Sequence, residues 1–227
     1  MAKEVFIGMG RSVPPYIIQE RNIGAEYEII ESALAAVGHK LNPVYLPLVR
    51  VEQMLIEKKV DAATPLKKRI GGNLCYSKSH IQYQNIAIAL KRRNYQINHI
   101  QDLKGKKIIA FQKAGQYLGK EFADIVRQNP NYQEYPDQNN QIHALFSGNT
   151  NVIIADKNIF HYYYEHSVRK ESFEDYSTYP IFPPSNYSVG FVDPILCEDF
   201  NRGLTIIRKD KTYQRILNNY FMQKGPL

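Results

Sequence analysis

A backbone anion-binding site is the first chemistry that the residue types suggest. Ala114, Gly115 and Gln116 begin a predicted helix directly after the apolar strand at 108–111. Exposed backbone N–H groups and the positive end of the helix dipole favour an anion at such a place. Ala114 and Gly115 carry no side-chain donor, so the backbone, Gln116 and Tyr117 are the candidate ligand contacts.

Asp156 and Tyr16 are candidate ligand contacts elsewhere in the chain. Asp156 follows the apolar strand at 152–155, and the carboxyl ends of parallel strands are where α/β sheets bind ligands. The alternative role for Asp156 is to cap the helix that begins at Lys157. Tyr16 follows two prolines that keep the chain extended. Its ring therefore either forms an apolar wall that can accept a cation, or packs in the core.

A metal site is suggested by His161, Glu165 and His166, because His161 and Glu165 share one face of a predicted helix. His166 lies five residues after His161, about 140° away around a helix, and no further ligand is evident. We therefore favour a surface helix and predict no metal and no cofactor. The sequence also contains no convincing nucleophile with a nearby base and no Walker or dinucleotide loop, so no enzymatic activity is predicted.

The elements that must position these residues are strands alternating with helices, which predicts an α/β fold with two mainly parallel sheets flanked by helices. Strands are predicted at 5–9, 40–46, 60–63, 85–90, 108–111, 152–155 and 187–192. Helices are predicted at 25–37, 51–58, 116–126, 141–146, 157–165, 198–208 and 213–222. In the first helix an apolar stripe runs from Ile29 to Val37, and Gly38 provides a stop.

Two similar series of elements indicate two lobes. The segment before the strand at 60–63 resembles the segment before the strand at 152–155, and both series open on two charged residues, the first a lysine, followed by an apolar run. We predict a discontinuous first lobe, residues 1–92 with 187–227, and a second lobe at 93–186. Two strands would cross between the lobes as a hinge, with a ligand cleft between them.

Composition excludes several other classes of protein. The chain has 227 residues, 44% of them hydrophobic, with 29 Lys+Arg against 22 Asp+Glu and a formal charge of +7. The basic residues occur in short scattered groups, so we predict no nucleic-acid partner.

The two cysteines, Cys75 and Cys197, are interpreted first as buried thiols and second as one disulfide. A strand begins almost at once, which predicts either a cytosolic protein or an exported one whose leader is absent.

Over essentially its whole length the sequence resembles the type II periplasmic solute-binding proteins, in the branch that binds amino acids for ABC importers. Each matching piece is short, and the evidence lies in their order and spacing. The pieces are Pro14-Pro15-Tyr16, Gly24 with Glu26 and Glu28, 46–50, 60–63, Arg69, Tyr76-Ser77, 102–106, Phe111-Gln112 and 154–156. The resemblance implies a two-lobed protein that closes on one small molecule and presents it to a membrane permease.

The resemblance also implies roles for individual residues. Arg69 would grip the α-carboxylate of the ligand, since a guanidinium meets a carboxylate bidentately, although Lys68 could be the matching residue. Arg50 would either face the cleft and bind an anionic group or pair with a surface carboxylate such as Glu52. Asp156 would hold the α-ammonium group. Thr64 is included among the ligand-binding residues.

The sequence departs from the family pattern around the ligand side chain. Val13 stands where the family usually carries an aromatic residue before the prolines, and Leu48 stands at the aromatic position of the following loop. The aromatic sandwich of the family is therefore not expected here.

The predicted function is the periplasmic substrate-binding component of an ABC-type importer for a polar amino acid or related small metabolite. A monomer is expected, exported to the periplasm. Two alternatives stay open: an enzyme on the same fold, resembling cyclohexadienyl dehydratase, and the ligand-sensing module of a receptor. An acid in the cleft besides Asp156 would support the enzyme; Glu26 and Glu28 are expected at or beyond the cleft edge.

Overall fold

The computed structural model describes residues 2–67, 73–168 and 175–221, except for the side chain of Val168. The chain divides into two units: unit 1 is Met1–Gln82 with Asn186–Pro226, and unit 2 is Tyr83–Ser185. The predicted first boundary, after residue 92, differs because the strand Asn85–Leu90 pairs within the sheet of unit 2. Within the described ranges no helix is both long and apolar enough to cross a bilayer.

The strands form one sheet in each unit. Those of the first sheet are β1 (Glu4–Gly10), β2 (Lys40–Leu46), β3 (Ala62–Leu66), β4 (Cys75–Tyr76), β5 (Ile81–Tyr83) and, at the far end of the chain, β11 (Ser185–Phe191). Those of the second sheet are β6 (Asn85–Leu90), β7 (Ile108–Phe111), β8 (Tyr132–Tyr135), β9 (Val152–Asp156) and β10 (Tyr176–Tyr179).

Each sheet has three parallel strands that are completed by antiparallel ones. The first sheet has the order β2-β1-β3-β11-β4, with β5 paired to β11, and the second has the order β10-β6-β9-β7-β8. β1 is parallel to β2 and β3, and β7 is parallel to β8 and β9. The strands β11 and β6 run antiparallel to β3 and β9. Both sheets are therefore mixed, with antiparallel strand pairs beside the parallel ones.

The described helices cover both sheets. They are α1 (Ala25–Ala35), α2 (Leu48–Ile56), α3 (Ala114–Tyr117), α4 (Lys120–Arg127), α5 (Gln138–Phe146), α6 (Lys157–Tyr163), α7 (Pro194–Lys209) and α8 (Thr212–Phe221). In unit 1, α1 packs against α7 so closely that a Cβ atom on Gly203 would overlap the carbonyl oxygen of Ala33.

In unit 2 the sheet is buried on both faces, which explains the unbroken apolar runs of β6 and β9. Alternate residues of these strands enter different cores: Ala87 and Ile154 pack with Phe122 on one face. Ile88 and Ile153 pack with other apolar side chains on the opposite face. A strand that is buried on both faces needs apolar side chains at every position, so its sequence does not alternate.

Two predicted helices are divided in the structure, and two strands of the second sheet are not predicted. The helix predicted at 116–126 is two short helices, α3 and α4, separated at Gly119, whose φ of 95° is a left-handed conformation. The helix predicted at 157–165 is α6 up to Tyr163, followed by the π-helical turn Tyr164–Val168. β8 and β10 are not predicted, because their residues are half-buried or exposed and lack a regular apolar alternation.

Cys75 and Cys197 form a disulfide bond, with 6.1 Å between their Cα atoms. The first interpretation, two buried thiols, is therefore wrong, and the second is confirmed. The bond joins β4 to α7 within unit 1 across a sequence separation of 122 residues. All of unit 2 lies inside the loop that it closes.

Candidate functional site

The carboxylate of Asp156 caps helix α6. Its Oδ1 accepts hydrogen bonds from the backbone N–H groups of Asn158 (2.9 Å) and Ile159 (3.2 Å), and its Oδ2 accepts one from Gln84 (2.7 Å). The side chain is buried, with 2% of the residue exposed. Capping is confirmed, and it is compatible with the predicted contact to an ammonium group, which stays a prediction. A substitution here should therefore also affect folding.

The backbone N–H groups around the start of α3 already bind a carboxylate of the protein itself. Glu134, on β8, accepts hydrogen bonds from the backbone N–H groups of Lys113 (2.7 Å) and Gly115 (3.1 Å). The hydroxyl of Tyr132 donates to the same carboxylate at 2.7 Å. Burial, followed by the hydrogen bond to Glu134, raises the pKa of Tyr132 well above its usual range.

The three predicted ligand contacts of this segment lie in different environments. The N–H of Gly115 is paired with Glu134, the side chain of Gln116 is exposed, and Tyr117 is buried. The ligand-binding roles of Gly115, Gln116 and Tyr117 stay predictions.

We expect Glu134→Ala to lower the free energy of unfolding by about 1 to 3 kcal/mol, because it removes an ionised acceptor that holds three donors. Urea denaturation of wild type and variant would measure this. Gln133→Ala is the matched control, because Gln133 is exposed on the same strand. Equal losses for the two variants would contradict a special role for the Glu134 carboxylate.

A buried polar cluster in unit 1 contains Glu26, Thr64 and His80, each with 0% of its surface exposed. The hydroxyl of Thr64 donates to Glu26 Oε1 at 2.6 Å. His80 Nε2 lies 3.0 Å from Glu26 Oε1 and 3.2 Å from Thr64 Oγ1. The hydroxyl and the carboxylate face the same ring nitrogen, whereas a catalytic triad needs one partner on each nitrogen. This cluster is therefore not a triad.

The cluster joins three parts of unit 1. Glu26 is in the first turn of α1, Thr64 is in β3, and His80 immediately precedes β5. The backbone N–H of His80 donates to the carbonyl of Tyr187 in β11 at 3.0 Å. The ligand-binding role of Thr64 stays a prediction.

The sequence analysis did not identify this cluster, although a signal was present. Glu26 precedes Ile29 and Ile30 by three and four residues, so it lies on the apolar face of α1. A carboxylate on the apolar face of a helix requires a buried partner. Glu26 is completely buried, and its expected position at or beyond the cleft edge stays a prediction.

Tyr16 is completely buried in unit 1, as the core interpretation expects. Its ring centroid lies 5.0 Å from that of Phe221 on α8. Its carbonyl oxygen accepts hydrogen bonds from the N–H groups of Glu26 (3.0 Å) and Tyr27 (3.3 Å), so the backbone of Tyr16 holds the start of α1. A ligand contact by the ring stays a prediction.

The two predicted cationic anchors are placed differently. Arg50 is exposed and lies in the first turn of α2, a helix that begins directly after Pro47. Arg69 and its alternative Lys68 lie outside the described residues. Their roles as anchors stay predictions.

Solved structures with a similar fold cover nearly the whole chain. A histidine kinase sensor domain with similarity to periplasmic binding proteins has a TM-score of 0.80, 16% identity, and coverage of 98% of this chain and 97% of its own. For a substrate-binding protein of an ABC uptake transporter from Streptococcus pneumoniae, with bound histidine, the values are 0.78, 16%, 97% and 93%. For the arginine-, lysine-, histidine-binding protein ArtJ from Geobacillus stearothermophilus they are 0.78, 14%, 99% and 97%.

The chain has the type II periplasmic-binding-protein fold. At these identities the likeness concerns the fold. No protein-family model matches the sequence, and no curated protein matches it either.

Within this type II fold, several candidate residues lie at the carboxyl ends of parallel strands. Asp156 ends β9, and Gly115 follows β7. Thr64 is paired in register with Met9, near the end of β1. Gly115 and Asp156 therefore lie at the edge of the second sheet where α/β proteins bind ligands, whereas Thr64 is the third of the five residues of β3.

His166, one of the suggested metal ligands, contacts an aromatic ring and a backbone carbonyl group of its own helical segment. His166 lies in the π-helical turn, its ring stacks on Tyr162 with centroids 4.1 Å apart, and its Nδ1 is 2.7 Å from the carbonyl oxygen of Tyr162. Across the described ranges, no three His, Cys, Asp or Glu side chains are grouped so that they could hold a metal ion.

Proposed function

We propose that this protein is the periplasmic substrate-binding component of an ABC-type importer and that it binds a polar amino acid or a related small metabolite. The observation that carries the proposal is the likeness in fold, over almost the full length of both chains, to a substrate-binding protein of an ABC uptake transporter and to an arginine-, lysine-, histidine-binding protein. Asp156, at the carboxyl end of β9, supports it. Its partner is then a membrane permease.

An oxidising compartment fits the Cys75–Cys197 disulfide, because such bonds form and persist outside the reducing cytosol. This observation supports export to the periplasm.

The proposal is tested by identifying what the protein carries. The protein is purified, denatured, and the released material analysed by mass spectrometry; the refolded protein is then screened for thermal shifts with amino acids and carboxylic acids. Ligand binding raises the midpoint of unfolding in proportion to the logarithm of ligand concentration over Kd. A protein that releases nothing and shifts with no member of the panel would contradict the proposal.

A ligand-sensing module of a receptor is the second candidate, favoured by the likeness to a histidine kinase sensor domain. Uptake of the released ligand, measured in cells with and without the gene, distinguishes the two. Loss of uptake supports the importer, whereas unchanged uptake with altered ligand-dependent transcription supports the sensor. Of the three reported structures, two are described as binding proteins and one as a sensor domain.

The cationic anchor should be found by comparing Arg69→Ala with Lys68→Ala. We expect the anchor's removal to weaken binding by at least about 2 kcal/mol, because the ligand carboxylate loses its charged partner. Isothermal titration with the released ligand measures this, and the neighbouring variant is the control. Two variants that both bind like wild type would exclude both residues as the anchor.

Asp156→Ala should weaken binding of an amine-containing ligand by at least about 2 kcal/mol, because the ammonium group loses its counter-ion. It should also lower the free energy of unfolding by about 1 kcal/mol or more, because a helix cap is lost. Asp193→Ala is the matched control, since Asp193 caps α7 in unit 1 through the N–H of Ile195. Wild-type affinity in Asp156→Ala would show that Asp156 does not hold an amine.

A further inference from the structure

Gln84 lies where the chain has just passed from unit 1 into unit 2. The boundary falls between Gln82 and Tyr83, and the chain returns to unit 1 between Ser185 and Asn186. Gln84 is half-buried and stands between the strands β5 and β6, outside both of them. Its hydrogen bonds therefore determine how the segment between these two strands is held in unit 2.

The backbone of Gln84 is bonded to the junction of β9 and α6. Its N–H group donates to Oδ2 of Asp156 at 2.7 Å, and its carbonyl oxygen accepts from the N–H group of Lys157 at 2.9 Å. Oδ1 of the same carboxylate accepts from two N–H groups in the first turn of α6. One oxygen of Asp156 is thus held by the helix that it caps, and the other by the segment that follows the unit boundary. Because a carboxylate is planar, the position of the Gln84 N–H group contributes to its orientation.

The side chain of Gln84 fixes this backbone in place. Its Nε2 atom donates to the carbonyl oxygens of Phe182 (2.8 Å) and Asn85 (3.2 Å). Phe182 is buried in a core of unit 2 and lies three residues before Ser185, after which the chain returns to unit 1. An amide NH₂ group has two donors, and both have acceptors within unit 2. Gln84 therefore joins the outgoing segment to the returning one and has no N–H donor left for a ligand.

Gln82 makes the corresponding bond on the other side of the boundary. Its Nε2 atom donates to Oδ1 of Asn186 at 3.0 Å, and both residues are exposed and belong to unit 1. Each glutamine thus joins the outgoing segment to the returning one, but Gln84 is the one that bonds Asp156. The two glutamines therefore provide a variant position and its matched control.

We propose that Gln84 is a positioning residue for an amine-containing ligand: it holds the carboxylate of Asp156 in the orientation that an ammonium group needs. This inference rests on the proposed function and on the predicted role of Asp156, and it adds a residue that acts without touching the ligand. A group that is already held in its binding geometry loses less conformational freedom when the ligand binds. Loosening Gln84 therefore weakens the contact to the amine and leaves the contacts to the rest of the ligand unchanged.

Isothermal titration of ligands with and without the amine tests the inference. The twenty standard L-amino acids are titrated, and the one that binds most tightly is compared with the 2-hydroxy acid of the same side chain. Wild type should prefer the amino acid at least about 30-fold, because the hydroxy acid lacks the charge that pairs with Asp156. Gln84→Met keeps the length of the side chain and removes its donors, and it should reduce this preference at least about fivefold. Gln82→Met is the control and should keep the preference.

A second background separates positioning from a merely structural effect. In Asp156→Ala, the further substitution Gln84→Met should not change the preference, because the carboxylate that Gln84 positions is absent. The ratio of two affinities measured on one variant is unaffected by its folded fraction, so a destabilised variant still gives a decisive result.

Three results would overturn the inference while the proposed function stands. Gln84→Met could keep the wild-type preference, Gln82→Met could lower the preference as much, or Gln84→Met could lower it equally when Asp156 is replaced by alanine. Equal binding of the amino acid and the hydroxy acid, or binding of carboxylic acids alone, would show that no amine is held, and the inference would fail with that role of Asp156. If wild type binds none of the amino acids and no member of the wider panel, the proposed function falls and the inference with it.

Discussion

Loss of the Cys75–Cys197 disulfide should lower the free energy of unfolding by about 4 to 5 kcal/mol. The bond spans 122 residues of sequence and encloses all of unit 2. A cross-link restricts the unfolded chain more strongly when the closed loop is longer, so this bond lies near the upper end of the usual range. The loss would exceed half of the stability of many domains.

Urea denaturation followed by far-UV circular dichroism measures this loss. The oxidised wild type is compared with the reduced wild type and with the double variant Cys75→Ala/Cys197→Ala. The two uncross-linked proteins should agree within the small packing contribution of the sulfur atoms, and dithiothreitol should leave the double variant unchanged. A reduced wild type as stable as the oxidised one would show that the bond contributes nothing to folding.

Glu26→Ala should destabilise the protein by about 3 to 5 kcal/mol, because it leaves His80 and Thr64 buried without their shared acceptor. Glu26, Thr64 and His80 are each completely buried, and their contacts join α1, β3 and the residue before β5. Breaking one member of such a cluster is costlier than replacing the whole by apolar side chains, since the remaining polar groups have no access to water.

A double-mutant cycle over Glu26→Ala and Thr64→Val, followed by urea denaturation, isolates their coupling. Glu26→Gln is the control, because it keeps the shape and an oxygen acceptor while removing the charge, and it should cost less than Glu26→Ala. Additive effects of the two single substitutions would mean that the cluster does not act as a unit. The same variants, titrated with the released ligand, show whether the cluster also affects binding.

Local pattern was sufficient to predict most of the elements from the sequence. The bounds of β2, β6 and β7 agree with the predicted 40–46, 85–90 and 108–111. The apolar stripe of α1 and the apolar run of β9 each reflect burial on a defined face, and burial imposes a period that is visible along the chain. The α/β class follows from the order of these elements, whereas the type II fold was expected from the resemblance to a family.

Pairing between distant residues was decided only by the tertiary structure. The composition of β6 is the same whichever sheet it joins, and its place beside β9 moves the unit boundary to Gln82. Cys75 and Cys197 carry no local signal of their bond.

The chemistry of the candidate site depended on such pairing even more strongly. The sequence predicts exposed backbone N–H groups at the start of α3, but β8 brings the carboxylate of Glu134 to them. It shows an acid in α1, but only folding places His80 and Thr64 against Glu26. The sequence by itself determined which faces of the elements are buried, because burial is repeated at a local period. Which polar groups meet at the site was left to the tertiary structure, because a hydrogen bond between distant segments leaves no period in either of them.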